Sequence, residues 1–155
     1  VGGEPVADLH IKYAPLKGIH VPEDQVPLAI DEFPALMVAA SCASGTTIIT
    51  GAEELRVKES DRIQAMVDGL SAMGVSIEGT AGGAIIEGMG ADTQFGPAQI
   101  VTHHDHRIAM AFTIAGLRGG AAIKILDCAH VATSFPNFVE LAQAVGMTLE
   151  EEFQS

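Results

Sequence analysis

Asp31 to Ser44 reads DEFPALMVAASCAS, and this run decides the fold. It has the length of a helix, with Asp31 in a capping position and Pro34 inside the first turn, where a missing N–H costs little. Its apolar residues lie on nearly every side rather than along one stripe. A helix of that kind has to be enclosed, because in an open layer it would leave apolar surface in water. Gly45 ends it, and Thr46-Thr47-Ile48-Ile49-Thr50, β-branched throughout, predicts a strand. The expectation is an α/β (α+β) fold with buried helices inside a shell of strands.

Upstream of this run, Ala7 to Tyr13 alternates Leu9, Ile11 and Tyr13 with polar neighbours, the period of a half-buried strand. A loop through Pro15, Gly18, Pro22 and Pro27 follows. Downstream, Ser60 is placed to cap a second helix whose Ile63, Met66, Val67, Leu70 and Met73 fall on one face, with Gly74 closing it. Two short strands are expected at Val75 to Glu78 and Ala84 to Glu87, around the turn Gly79 to Gly83.

The same order then recurs. Asp105 opens an apolar helix to about Arg118 and Gly119-Gly120 end it. Ala121 to Leu126 predicts a strand, Ser134 to Val145 a helix, and Met147 to Glu151 a last strand. Aligning Asp31 with Asp105, Thr46 with Ala121, and Met73-Gly74-Val75 with Val145-Gly146-Met147 gives a nearly constant offset. Two copies of one supersecondary unit are therefore expected, at approximately 6–88 and 98–151, with chance similarity of two αβαβ segments as the alternative.

Composition narrows the function classes. The 155 residues carry 48% apolar side chains, enough for one sizeable core, and no apolar run approaches the roughly 18 residues of a membrane span. The formal charge of −12 argues against nucleic acid and anionic membrane as partners. Any anionic ligand must be held by a local cluster drawn from only eight Lys and Arg residues. Cys42 and Cys128 are far apart, with neither a disulfide framework nor a zinc knuckle indicated, so a cytoplasmic setting is the default. The first residues have neither a basic nor an apolar leader region, and with no initiator methionine the chain is expected to begin inside a longer gene product.

Cations concentrate in Leu55-Arg56-Val57-Lys58-Glu59-Ser60-Asp61-Arg62, at a junction leading into a helix. Unpaired N–H groups and the dipole at a helix N-terminus favour anions, so Lys58, Arg62 and that helix end can together hold a phosphate or carboxylate. Glu59 beside such an anion can donate or accept a proton. The alternative is a solvated charged turn capped by Ser60. In His103-His104-Asp105-His106-Arg107, Arg107 is placed as another anion fork and His106 as a polar or proton-transferring neighbour. The residue types also suit a divalent metal, but adjacent residues on a helix point in different directions and do not converge. Asp105 reads as a helix cap. Asp31, in the matching place of the first copy, reads as a cap or, beside a substrate hydroxyl in a closed site, as a general base.

Three segments taken together, RVKESDR at Arg56 to Arg62, HDHRIAM at His104 to Met110 and ATSFPNF at Ala132 to Phe138, resemble the 5-enolpyruvylshikimate-3-phosphate (EPSP) synthase family. The likeness runs along essentially the whole chain, and LKG, EELRVKESDRI and ATSFP are similar to the bacterial branch that includes glyphosate-insensitive enzymes. The resemblance implies transfer of the enolpyruvyl group of phosphoenolpyruvate to the 5-hydroxyl of shikimate 3-phosphate, with release of phosphate and no cofactor or metal, in a monomeric parent enzyme. Carried over residue by residue, Asp31 is the base at the shikimate hydroxyls, Glu59 the acid/base near the reacting carbon, and Lys58 a partner to both. Arg62 and Arg107 grip phosphoenolpyruvate, and His106 supports the site. Enteric and plant members have a lysine where this chain has Thr133. The family's two domains, each of three βαβαββ units with helices inside and sheets outside, imply that 1–155 is part of the C-terminal domain, with the N-terminal domain absent and negligible turnover by this chain alone. A relative acting on UDP-N-acetylglucosamine, against which RVKESDR argues, a non-catalytic phosphate-binding module and a metal protein built on HHDH are the alternatives.

Overall fold

The computed structural model describes Gly3 and residues 5–152. In chain order its elements are helices α1 (Val26–Ala29) and α2 (Phe33–Ser41), strand β1 (Ser44–Ile49), α3 (Arg62–Ala72), β2 (Ser76–Thr80), β3 (Gly83–Met89), β4 (Ala98–Val101), α4 (His106–Ala115), β5 (Ile123–Leu126), α5 (Val131–Ser134) and α6 (Phe138–Ala144). Among the described residues the strands do not join into one mixed sheet. Instead β1-β3-β2 form one antiparallel sheet, with Ile49 opposite Ala84 and Thr80 opposite Gly83, while β4 and β5 form a separate parallel pair. Parallel pairing needs a crossover, and α4 supplies it.

Helices α2, α3 and α4 pack on one another, with the three-stranded sheet against α2 and α3 and the parallel pair against α3 and α4. The shared core contains Phe33, Met37, Ile63, Met66, Leu70, Ile86, Ile100 and Phe112. Each such side chain taken fully out of water contributes about 1.5–3 kcal/mol before ordering entropy is set against it. The enclosure expected for α2 is present at Phe33, Pro34, Met37, Val38, Ala40 and Ser41, all buried. The face of α4 at Ile114 is exposed.

Two helix ends share one device. After α3, Gly74 at φ 93° lets its N–H reach Ser71 O (3.0 Å) and the Val75 N–H reach Leu70 O (3.0 Å). After α6, Gly146 at φ 98° places its N–H on Gln143 O (2.9 Å) and the Met147 N–H on Ala142 O (3.0 Å). Both are Schellman closures, which need a left-handed residue and so favour glycine.

Several sequence expectations are corrected. No strand forms at Ala7 to Tyr13, where Leu9, Ile11 and Tyr13 are 83%, 87% and 85% exposed. Alternation makes a strand only where a sheet edge receives it, and here only the later Lys17 and His20 form isolated bridges to Ser44 and Ile48. The helix expected over Ser134 to Val145 is two helices, broken around Pro136, which has no N–H to donate and drives its predecessor out of helical conformation. Met147 to Glu151 is not a strand; Leu149 O accepts from Gln143 Nε2 (2.9 Å) instead. Asp31 does not cap α2: it lies in a 3-10 turn, Ile30–Glu32, that runs straight into the helix. Ser60 does not cap α3 either, because Asp61 takes that place and accepts from Gln64 N (2.9 Å).

Candidate active site

The N-terminal ends of α2, α3 and α4 come together, and the charged residues singled out in the sequence lie there. Asp31 precedes α2, Arg62 is the first residue of α3, and His106 and Arg107 open α4. Lys58 and Glu59 sit between the 3-10 turn Glu53–Val57 and α3. Helix N-termini present unpaired N–H groups and the positive end of the dipole, so their convergence favours negative charge.

Arg62 is the centre of the network and is only 1% exposed. Its Nε donates to Asp105 Oδ2 (2.8 Å), Nη1 to Asp31 Oδ1 (3.0 Å) and Nη2 to Glu59 Oε2 (2.5 Å). A buried guanidinium is tolerated because each of its nitrogens meets a carboxylate. Burial alone would lower the Arg62 pKa, but Asp105, Glu59 and Asp31 outweigh it and hold the guanidinium firmly protonated.

Asp105 does two jobs, and the sequence disclosed only one. Its Oδ1 caps α4, accepting from Arg107 N (2.9 Å), while Oδ2 takes Arg62 Nε and the Ser60 hydroxyl (3.0 Å). Burial acts to raise its pKa, yet the Arg62 hydrogen bond and charge, with Ser60 and the Arg107 N–H, hold it below the usual carboxylate range. Nothing local distinguishes a plain cap from one that also anchors an arginine far away in sequence. For Asp31, too, burial raises the pKa and the hydrogen bond from Arg62, with Arg107 and Lys58, brings it below normal.

Lys58 Nζ lies 3.6 Å from Asp31 Oδ1 and is hydrogen-bonded to Glu54. That bond, and then the Glu54 and Asp31 charges, raise its pKa against the opposing effect of desolvation. Arg107 Nη1 donates to the Asp31 carbonyl (3.0 Å) and to Glu32 Oε1 (3.1 Å), and Nη2 is 3.7 Å from Asp31 Oδ2. Beside it a cleft of about 110 Å³ opens between α2 and α4, lined by Asp31, Glu32, Pro34, Arg107, Met110 and Ile114 among others. Asp31, Lys58, Glu59, Arg62 and Arg107 thus form one connected cluster. His106 stands next to Arg107 but enters none of the ion pairs among the described residues.

Arg56, the third cation of the RVKESDR segment, points elsewhere. It donates to Ala81 O (2.8 Å), Thr80 O and Asp61 Oδ2 (2.8 Å), tying the β2–β3 turn to the α3 cap. The histidine run also has a conformational account. His103 and His104 are both left-handed (φ 52° and 60°), a region histidine enters more readily than most residues, and they turn the chain from β4 into α4. The His104 ring meets His130 edge-on at 5.2 Å, and among the described residues no group of three or more His, Cys, Asp or Glu is arranged to hold a metal ion.

Buried helices under separate sheets, with an arginine–lysine–carboxylate centre where three helices begin, define a mixed α/β protein with one concentrated charged site. A family profile described as EPSP synthase (3-phosphoshikimate 1-carboxyvinyltransferase) matches residues 1–141, and the chain belongs to this family. It is 59% identical over 150 residues to a 3-phosphoshikimate 1-carboxyvinyltransferase of Methylococcus capsulatus, covering 97% of this chain and 33% of that protein. For the protein of the same description from Acidithiobacillus ferrooxidans the identity is 58%, with 97% and 34% covered. An EPSP synthase structure from Acinetobacter baumannii superposes with a TM-score of 0.85 at 59% identity, over 88% of this chain and 32% of that one. The chain therefore spans about a third of the length of these relatives. No described helix is long and apolar enough to cross a membrane.

Proposed function

We propose that this chain is part of a cytoplasmic, monomeric 3-phosphoshikimate 1-carboxyvinyltransferase and supplies one face of its active site. The connected cluster of Asp31, Lys58, Glu59, Arg62 and Arg107 at three helix N-termini carries the reading, and family membership supports it. The carboxylate and phosphate of phosphoenolpyruvate are held by Arg107 and Lys58, both partly exposed, and by Arg62 as it gives up Glu59 or Asp31. Asp31 takes the proton of the 5-hydroxyl of shikimate 3-phosphate while that hydroxyl oxygen bonds to C2 of phosphoenolpyruvate, and Glu59, with Lys58 beside it, delivers a proton to the methylene carbon. The tetrahedral adduct then loses phosphate by C–O cleavage, the phosphate carrying off the proton held by Asp31, while the methyl group returns its proton to Glu59 and the new enol ether forms. His106 supports the site from the start of α4.

We further assign residues 1–155 to the C-terminal domain, with two repeats at approximately 6–88 and 98–151. The matching Schellman closures at Gly74 and Gly146 support that division. The segments LKG, EELRVKESDRI and ATSFP, with Thr133 in place of a lysine, support a further reading in which the chain comes from the branch that includes glyphosate-insensitive enzymes. Because closure around a dry site needs both faces, the chain alone turns over negligibly. The test mixes it with the remaining portion of a family enzyme, phosphoenolpyruvate and shikimate 3-phosphate, and follows phosphate release. Activity that appears on mixing and disappears in Glu59→Gln and Arg107→Ala is expected. Full turnover by the chain alone, or no effect of either substitution, refutes the assignment.

A further inference from the structure

We infer that Glu32 and Glu54 are displaceable counter-ions, which hold the charged ends of Arg107 and Lys58 in place and compete with the anion those cations are aimed at. The inference rests on the anion site proposed above and concerns two residues to which that proposal gives no role.

Each glutamate makes a single ion pair with a site cation. Glu32 Oε1 lies 3.1 Å from Arg107 Nη1, and Glu54 Oε1 accepts from Lys58 Nζ one helical turn away. Both acids are mostly exposed, 72% and 60%, and both sit on short 3-10 turns rather than in the core. The cations do not need them to stay near the site. Arg107 is also held by the Asp31 carbonyl, and Lys58 also faces Asp31 Oδ1 at 3.6 Å. Asp105 is the contrast: buried and bound to Arg62, Ser60 and the α4 backbone, it cannot swing away.

Charge balance requires some carboxylates to give way. Asp31, Glu32, Glu54, Glu59 and Asp105 face Lys58, Arg62 and Arg107 across the network, leaving an excess of two negative charges. A doubly charged anion entering this cluster meets repulsion unless acids move off the cations. The solvent-exposed pairs are the cheapest to open, since water replaces the partner and little binding energy is lost. Glu32 and Glu54 are therefore the acids that leave first. They set the affinity of the site by competition rather than by contact with the ligand.

The test titrates phosphoenolpyruvate, and separately inorganic phosphate, into the 155-residue chain at low ionic strength, with binding followed by phosphorus NMR. Glu32→Gln, Glu54→Gln and the double variant are compared with the parent, and Arg107→Ala serves as the control. Each glutamine should tighten binding about two- to five-fold, the range an exposed ion pair supports. The gain should shrink as salt screens the pairs. Independently of any anion, nitrogen relaxation of the Arg107 guanidinium should show greater mobility in Glu32→Gln. Unchanged or weaker affinity in both glutamine variants, with binding lost in Arg107→Ala, overturns the inference and leaves the anion site standing. Unchanged Arg107 mobility also overturns it. Failure of the parent and every variant to bind either anion removes the inference and the proposed site together.

Discussion

Arg62 Nε lies 2.8 Å from Asp105 Oδ2, with both side chains out of contact with water. This pair fastens the first residue of α3 to the cap of α4. It therefore fixes the relative height of the two helix ends that carry Arg62 and Arg107. Exposed ion pairs elsewhere, such as Lys124 with Glu152 at 2.6 Å, contribute little by comparison, because water screens them.

Asp105→Ala should be among the most damaging single substitutions in the chain. It removes a helix cap, worth about 0.5–2 kcal/mol. It also leaves Arg62 buried without its Nε partner, a loss of about 3–5 kcal/mol when one member of a buried pair is removed. The two effects overlap, so about 3–5 kcal/mol in total is expected from urea unfolding. Asp105→Asn keeps an oxygen for the α4 N–H groups and should be milder. Equal stability of Asp105→Ala and the parent would show that the pair holds nothing.

The pH dependence follows from the same carboxylate. Its folded pKa is depressed by Arg62, against the upward pull of burial, so between the folded and unfolded values the unfolded chain binds more protons. Stability from Asp105 is then complete above about pH 4, the unfolded value, and is lost as acid carries the pH down through the folded value. Asp31 behaves alike in direction, but its side chain is 45% exposed and its share is smaller. Unfolding free energies measured from about pH 6 to about pH 2 should fall less steeply in Asp105→Asn than in the parent. Parallel curves would show that this group does not drive acid unfolding.

Gly69→Ala reverses a usual rule. Alanine in a helix interior is favoured over glycine by about 1 kcal/mol, yet a Cβ at Gly69 would lie 2.1 Å from the Phe112 ring. That ring is fully buried, so it can move aside only by displacing its neighbours in the core. Overpacking of this kind costs about 1–3 kcal/mol, and the clash is severe enough for it to prevail. A lower thermal midpoint in Gly69→Ala is expected; a higher one would mean that the helices separate more easily than their packing suggests.

Local signals located α2, α3, α4 and β1, because apolar spacing and β-branching act within a few residues; Gly45, expected to end α2, lies instead inside β1, and the helix ends at Ser41. They also located the charged cluster, since Lys58, Glu59, Arg62, His106 and Arg107 stand beside helix starts that the sequence marks. The misread elements needed a distant partner. Leu9, Ile11 and Tyr13 alternate like a strand, but no described neighbour pairs with them. Met147 to Glu151 fails for the same reason, and Pro136 divides a helix that periodicity alone would run through.

By itself the sequence determined where the three buried helices α2, α3 and α4 lie, which faces are apolar, and which residues bring charge to the helix starts. Only the tertiary structure decided what that charge does. It turned Arg56 toward the β2–β3 turn, sank Arg62 among three carboxylates, and gave Asp105 a second partner 43 residues away in sequence. The physical reason is range: propensity and capping are settled by neighbours along the chain, whereas burial and ion pairing depend on which surfaces the packed helices bring face to face.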